Sequence, residues 1–259
     1  MAVTVASVSN WTIKRFGGEL WRRTKAGWRD LPKGAMPRFW VALVAGFLVV
    51  AGITAGVTQY VESVADDGLN DWDRRGIIEL RDGTGWAASL PPLKFTDGII
   101  LESYSNIAIL GPLTLVGAIL MLWKRRVIWA MAFVGSYVLA RFLIWTGWHL
   151  WHRQRPDLIA DGAAALGAHS FPSGHAILTF TAYGLLAHLW ASSSRSVIEK
   201  LLAYGLLGLL AIVVSIARLR LGAHWPSDVI AGFFIGALWL AAVAVAIRVA
   251  EERWPRQPE

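Results

Sequence analysis

The sequence predicts an all-α, polytopic membrane protein: a six-helix bundle with a basic N-terminal segment and one large external loop carrying short helices. Three observations predict it. Hydrophobic residues make up 55% of the 259. Six stretches, at 39–61, 103–123, 127–148, 176–194, 201–217 and 229–247, are uncharged or nearly so, Arg141 interrupting the third. Each approaches the roughly 20 apolar residues that a helix needs to cross a bilayer. They are too long for strands of a membrane barrel.

Residues 1–38 hold Lys14, Arg15, Arg22, Arg23, Lys25, Arg29, Lys33 and Arg38 against only Glu19 and Asp30. The segment lacks the apolar core of a cleavable signal peptide, so 39–61 reads as a retained anchor. A basic run beside a span reads as a cytoplasmic flank drawn to anionic lipid. That placement, more than the net charge of +7, speaks against a nucleic-acid partner. Trp11, Phe16, Trp21 and Trp28 lie among the charges, as in an interfacial amphipathic helix.

The loop 62–102 carries nine acidic residues against Arg74, Arg75, Arg81 and Lys94. It is expected outside, with a short amphipathic helix over 72–80 that Gly83, Gly85, Pro91 and Pro92 terminate. Lys124, Arg125 and Arg126 return the chain to the inside between spans two and three, and Arg195 and Lys200 flank the inside turn between spans four and five. Arg248, Arg253 and Arg256 mark a cytoplasmic tail over 249–259, leaving 39–248 as the membrane domain with both termini cytoplasmic. The chain has no cysteine, which excludes disulfides and thiolate metal sites.

Three polar clusters then fall on the external side. Pro172-Ser173-Gly174-His175 immediately precedes an apolar helix. A helix N-terminus presents unpaired N–H groups to an anion. Gly174 admits close backbone approach, Ser173 caps or donates, and His175 is placed to protonate a leaving oxygen. A serine cap beside an interfacial histidine accounts for the same residues. In the second cluster, His224 and Asp228 are four apart behind Arg218. A carboxylate on one imidazole nitrogen leaves the other nucleophilic, and an arginine fork suits phosphate. A structural His–Asp hydrogen bond is the alternative. The third cluster runs from His149 and His152 to Arg153, Arg155 and Pro156, with Arg155 the candidate phosphate clamp. Interfacial arginines within a tryptophan belt are the alternative there.

Taken together, in this order and spacing, the clusters resemble the type 2 phosphatidic acid phosphatase (PAP2) superfamily, in its integral-membrane lipid phosphatase branch. The family pattern is Lys-x6-Arg-Pro, Pro-Ser-Gly-His and Ser-Arg-x5-His-x3-Asp. Arg155-Pro156 ends the first motif, 172–175 is the second unaltered, and Arg218, His224 and Asp228 form the third. The resemblance covers about residues 100–248. Two positions depart from it: Trp148 stands at the first-motif lysine and Ala217 at the serine before Arg218. Arg141, seven residues before Trp148, and Arg153 are candidate replacement cations, since a charge inside a span marks a functional-site candidate.

The resemblance implies a metal-independent phosphatase that needs no cofactor. His224 is the expected nucleophile, Asp228 its partner and His175 the acid and base. Arg155, Ser173, Gly174 and Arg218 are expected to hold the phosphate. It further implies a lipid phosphate or diphosphate substrate, of undecaprenyl diphosphate, phosphatidic acid or phosphatidylglycerophosphate type, met at the external face of a cell inner membrane. Two alternatives stay open: a lipid-phosphate binding or transport protein that has lost turnover, and an oxidoreductase like the vanadium haloperoxidases.

Overall fold

The computed structural model of the chain describes residues 5–90, 94–158 and 169–252, and these contain helices and turns but no strand. In order, α1 is Val5–Arg29, α2 Ala35–Ser63, α3 Asn70–Asp82, α4 Phe95–Ser103, α5 Ile107–Trp123, α6 Val127–Leu150, α7 Gly174–Ser193, α8 Val197–Arg220 and α9 Pro226–Glu251. The expected terminators Pro91 and Pro92, and the tail residues Arg253 and Arg256, lie outside the described residues.

Five stretches are long and apolar enough to cross a membrane: α2, α4 with α5 (Phe95–Trp123), α6, α8 and α9. The sixth expected span, 176–194, coincides with α7, which is not among the five. At 20 residues α7 is shorter and carries His175 and His188. It packs against α6, α8 and α9. Its threonine hydroxyls are satisfied within the helix, Thr179 donating to the His175 carbonyl (2.7 Å) and Thr181 to that of Ile177 (2.9 Å). A helix enclosed by others needs less apolar surface than one facing lipid, which is why its composition is milder.

The core lies between α2, α5, α6, α7 and α9, around Phe39, Leu43, Leu110, Trp129, Phe133, Ile177, Leu185 and Trp239. The fully buried Trp239 indole donates to the Ser136 carbonyl at 3.1 Å, so its one polar atom is not left unpaired. The second expected span begins later than the sequence implies. Tyr104–Asn106 interrupts it, and Asn106 caps α5 by accepting from the Ala108 N–H at 3.0 Å. The apolar run Ile99-Ile100-Leu101 before the break belongs to α4, which packs on α8.

The short helix expected over 72–80 is α3. Ile77 and Leu80 are buried with Leu219 and Val229, tying the loop to α8 and α9. Asp73 is buried on the same face with no exposed surface, which its acidic, amphipathic context does not explain. The basic N-terminal segment is helical as α1 and docks on the end of α5: Phe16 stacks on Trp123 (5.3 Å), and Arg23 donates to the Trp123 carbonyl (3.2 Å).

Candidate active site

Backbone hydrogen bonds draw the three clusters into one site. The Ser173 N–H donates to the Asp228 carbonyl (3.0 Å), joining the start of α7 to the first turn of α9. The Ser170 N–H donates to the Arg153 carbonyl (2.9 Å), and the Trp225 indole to the Gln154 carbonyl (2.8 Å). Close packing completes the assembly at Gly147 on α6. A Cβ there would lie 2.2 Å from the Pro172 ring, so only glycine admits the Pro-Ser-Gly-His turn at this depth.

His224 follows the end of α8. Gly222 supplies the positive φ of 63° that reverses the chain, and Ala223 N–H returns to the Arg218 carbonyl at 3.1 Å. The imidazole is buried, and its Nδ1 lies 2.8 Å from the Ser170 carbonyl. A carbonyl only accepts, so Nδ1 carries the proton and Nε2 keeps its lone pair. Asp228 Oδ2 is farther from Nδ1, at 3.5 Å. The expected tautomer is therefore fixed first by a backbone carbonyl, with the carboxylate as the outer partner. Burial, followed by the charges of Arg218 and Arg155, holds His224 well below the usual histidine range; the Ser170 bond opposes this. The ring is neutral at neutral pH.

Nε2 faces Arg155, whose Nη1 lies 3.5 Å away and also donates to the Ala223 carbonyl. Arg218 is buried at the end of α8 and forms an ion pair with Glu102 of α4. Its Nε has no hydrogen-bond partner among the described residues, and neither does the fully buried Ser173 Oγ. Ser173 is the residue before α7 yet makes no side-chain cap, so a serine cap does not account for it. A buried hydroxyl and a guanidinium edge without partners, beside a helix N-terminus, form a donor set suited to a tetrahedral oxyanion. His175 stands in the first turn of α7, two residues after Ser173. The structure thus gathers His224, His175, Asp228, Arg155, Ser173, Gly174 and Arg218 at one end of the bundle.

The two candidate replacement cations are placed differently. Arg141 is exposed on α6 and lines a groove with Phe142, Ile144, Trp145 and Trp148, whereas Arg218 is buried and Arg155 half-buried. Arg141 and Trp148 line the same groove, yet it is Trp148 that reaches Pro172, and the exposed Arg141 does not join the cluster. Arg153 is buried at the site, but both ends of its guanidinium are taken by carboxylates, Asp73 at 2.6 Å and Asp228 at 2.7 Å. Trp148 donates its indole N–H to the Pro172 carbonyl (3.3 Å) and lies near His169, whose ring meets that of His152 at a tilt. His149 stacks on Trp145, and His188 pairs with the Tyr204 hydroxyl at 2.9 Å. Asp73, Glu102 and the Ser170 carbonyl were not legible in the sequence. Their partners are 50 to 155 residues away, roughly, and no local pattern marks them.

Residues 129–251 match the PAP2 superfamily. An undecaprenyl-diphosphatase of Sulfolobus acidocaldarius is 30% identical over 154 residues, 58% of this chain and 68% of that protein. A putative undecaprenyl-diphosphatase of Escherichia coli is 30% identical over 131 residues, 48% of this chain and 61% of the relative. Phosphatidylglycerophosphatase B of Bacillus subtilis is 38% identical over 91 residues, 33% of this chain and 42% of the relative. Among solved structures, the transmembrane PAP2-type phosphatidylglycerolphosphate phosphatase of Bacillus subtilis shares the fold. It has a TM-score of 0.57 at 21% identity, over 78% of this chain and 92% of that one.

Proposed function

The chain belongs to the PAP2 superfamily, and on that premise we propose that it removes the terminal phosphate of a lipid phosphate or diphosphate through a phosphohistidine at His224. The observation that carries the reading is the state of that imidazole. Nδ1 is committed to a carbonyl, and Nε2 keeps its lone pair toward an arginine that can hold the phosphate under attack.

In the first step Nε2 attacks phosphorus in line, and the bond to the departing oxygen breaks. His175 gives that oxygen its proton. For a diphosphate the leaving group is the lipid monophosphate; for a monoester it is the lipid alcohol. In the second step His175 takes a proton from water, the water oxygen attacks phosphorus, and Nε2 leaves. The proton on His175 is restored, so one water is consumed per phosphate released. Arg155, Arg218, Ser173 and the Gly174 N–H hold the equatorial oxygens, and the nearby carboxylate of Asp228 stabilises the positive charge that the imidazole gains. No step calls on a metal or cofactor.

A lipid substrate is supported by an apolar cleft of about 590 Å³ between α3, α8 and α9. Trp72, Ile212, Ile216, Val229 and Phe233 line it beside Pro226, two residues from both His224 and Asp228. A tail in that cleft would place its headgroup at the basic cluster. The names of the relatives point to undecaprenyl diphosphate first and phosphatidylglycerophosphate second. With α7 as the sixth crossing, the loop charges orient both termini to the cytoplasm and the site to the outer face.

The test is phosphate release by detergent-purified protein from a panel of undecaprenyl diphosphate, phosphatidic acid and phosphatidylglycerophosphate, with EDTA present. Turnover by the wild type and none by His224→Ala is the expected result. Turnover by that variant contradicts the assigned nucleophile. Binding of the same lipids without turnover by the wild type would mark the chain as a non-catalytic relative, for which Trp148 in place of the family lysine is the one favouring observation.

A further inference from the structure

Asp73 belongs to α3, more than 50 residues before the matched stretch 129–251, and nothing in the phosphatase motifs predicts a role for it. Yet its carboxylate is completely buried and fully engaged. Oδ1 accepts from the Ser227 N–H (2.8 Å), and Oδ2 accepts from the Ser227 hydroxyl (2.5 Å) and from Arg153 Nη2 (2.6 Å). The other end of the same guanidinium, Nη1, donates to Asp228 Oδ1 and to the Ser227 hydroxyl, both at 2.7 Å. Asn70 Oδ1 takes a further bond from Nη2 at 3.1 Å. The guanidinium lies over the rings of Trp151 (4.8 Å) and Trp225 (5.6 Å). A planar fork fastened at both ends and packed on two indoles has little freedom to rotate.

We infer that Asp73 is a positioning residue of the reaction, which acts through Arg153 to set the carboxylate of Asp228 beside His224. Left with one acid, a guanidinium takes both oxygens in a bidentate pair. Asp73 draws Nη2 away, so Arg153 meets Asp228 at Oδ1 alone. Oδ2 is then left for the Trp225 N–H (2.8 Å) and for the imidazole Nδ1 (3.5 Å). Without Asp73, Arg153 closes on both oxygens of Asp228 and withdraws the one that faces the nucleophile. The short external helix thereby becomes part of the working site. Arg153, expected from its sequence position to be a replacement cation for the substrate, instead spans two buried acids.

The inference rests on the phosphatase reading, and the experiment separates the two. Asp73→Asn keeps the shape but turns one acceptor into a donor facing Ser227 or Arg153. Its kcat for the best lipid substrate should fall about tenfold or more while KM stays within about twofold, because the nucleophile and not substrate binding is disturbed. Asp73→Glu should recover part of the loss. In a double-mutant cycle, Asp73→Asn on an Arg153→Gln background should cost less than about twofold further, since the route through Arg153 is already cut. Where Asp73→Asn does not fold, Asn70→Ala reports on the same fork without removing a buried charge. It should lower kcat about two- to threefold at constant KM. An unchanged kcat in whichever of these variants folds, or fully additive losses in the cycle, overturns the positioning role. Wild-type protein that turns over no lipid in the panel overturns the phosphatase reading and the inference with it.

Discussion

The proton on Nδ1 of His224 decides what this site can do. With the Ser170 carbonyl at 2.8 Å, the alternative tautomer would set a lone pair against a carbonyl oxygen. Burial and two guanidinium charges hold the ring neutral, and the sign of the consequence follows from linkage. The unfolded chain binds a proton at His224 below about pH 6.5, where the folded chain does not. The stability this neutral state contributes is complete above that pH and is lost as pH falls from there toward the depressed folded value. Spectra of ¹⁵N-histidine-labelled protein, assigned by comparison with His224→Gln, should therefore show Nδ1 protonated and Nε2 bare at pH 6.5. Half-titration of His224 at or above that pH would contradict the burial account. Arg155→Gln removes one of the two positive charges and should move the titration upward. Arg155→Lys keeps the charge but loses the planar fork, and kcat should drop about 10- to 100-fold. The motif residues were legible in the sequence because their spacing is local. The Ser170 carbonyl was not, because a backbone acceptor carries no side-chain signature.

At the scale of elements, what holds the site is close contact between helices. Gly147 on α6 sits against the Pro172 ring, where an added methyl would lie at 2.2 Å from proline carbon. Neither partner can swing aside, because both belong to the backbone or a ring closed on it. Gly147→Ala should cost about 1–3 kcal/mol of stability and displace the start of α7. Thermal unfolding in detergent and kcat should fall together; an unaltered midpoint would contradict the packing described. The apolar runs announced α2, α6, α8 and α9 directly. They did not announce the break at Tyr104–Asn106, which falls within the start of the expected stretch 103–123. Nor did they distinguish α7, whose two histidines are carried on a helix surrounded by others. Arg141 shows the converse failure. A seven-residue spacing set it in one groove with Trp148, but Arg141 is exposed there while Trp148 turns to Pro172.

For the whole molecule, the arrangement places all the gathered residues at one end of the bundle, at the ends of α6 and α8 and the beginnings of α7 and α9. The orientation proposed from loop charge puts that end outside. The cysteine-free sequence makes this directly testable. A membrane-impermeant maleimide applied to intact cells should label Asp82→Cys, exposed at the end of α3, and spare Lys200→Cys, exposed in the first turn of α8. The reverse pattern would invert the topology. The central claim, that His224 carries the phosphoryl group, is tested most directly by trapping the intermediate. Protein with His175→Ala, mixed with a lipid diphosphate ³²P-labelled in its terminal phosphate, whose leaving monophosphate departs without a proton, and quenched in alkali, should retain label that mass spectrometry maps to the imidazole of His224. Label on any other residue, or phosphate release that persists in His224→Ala with no covalent species formed, would contradict it.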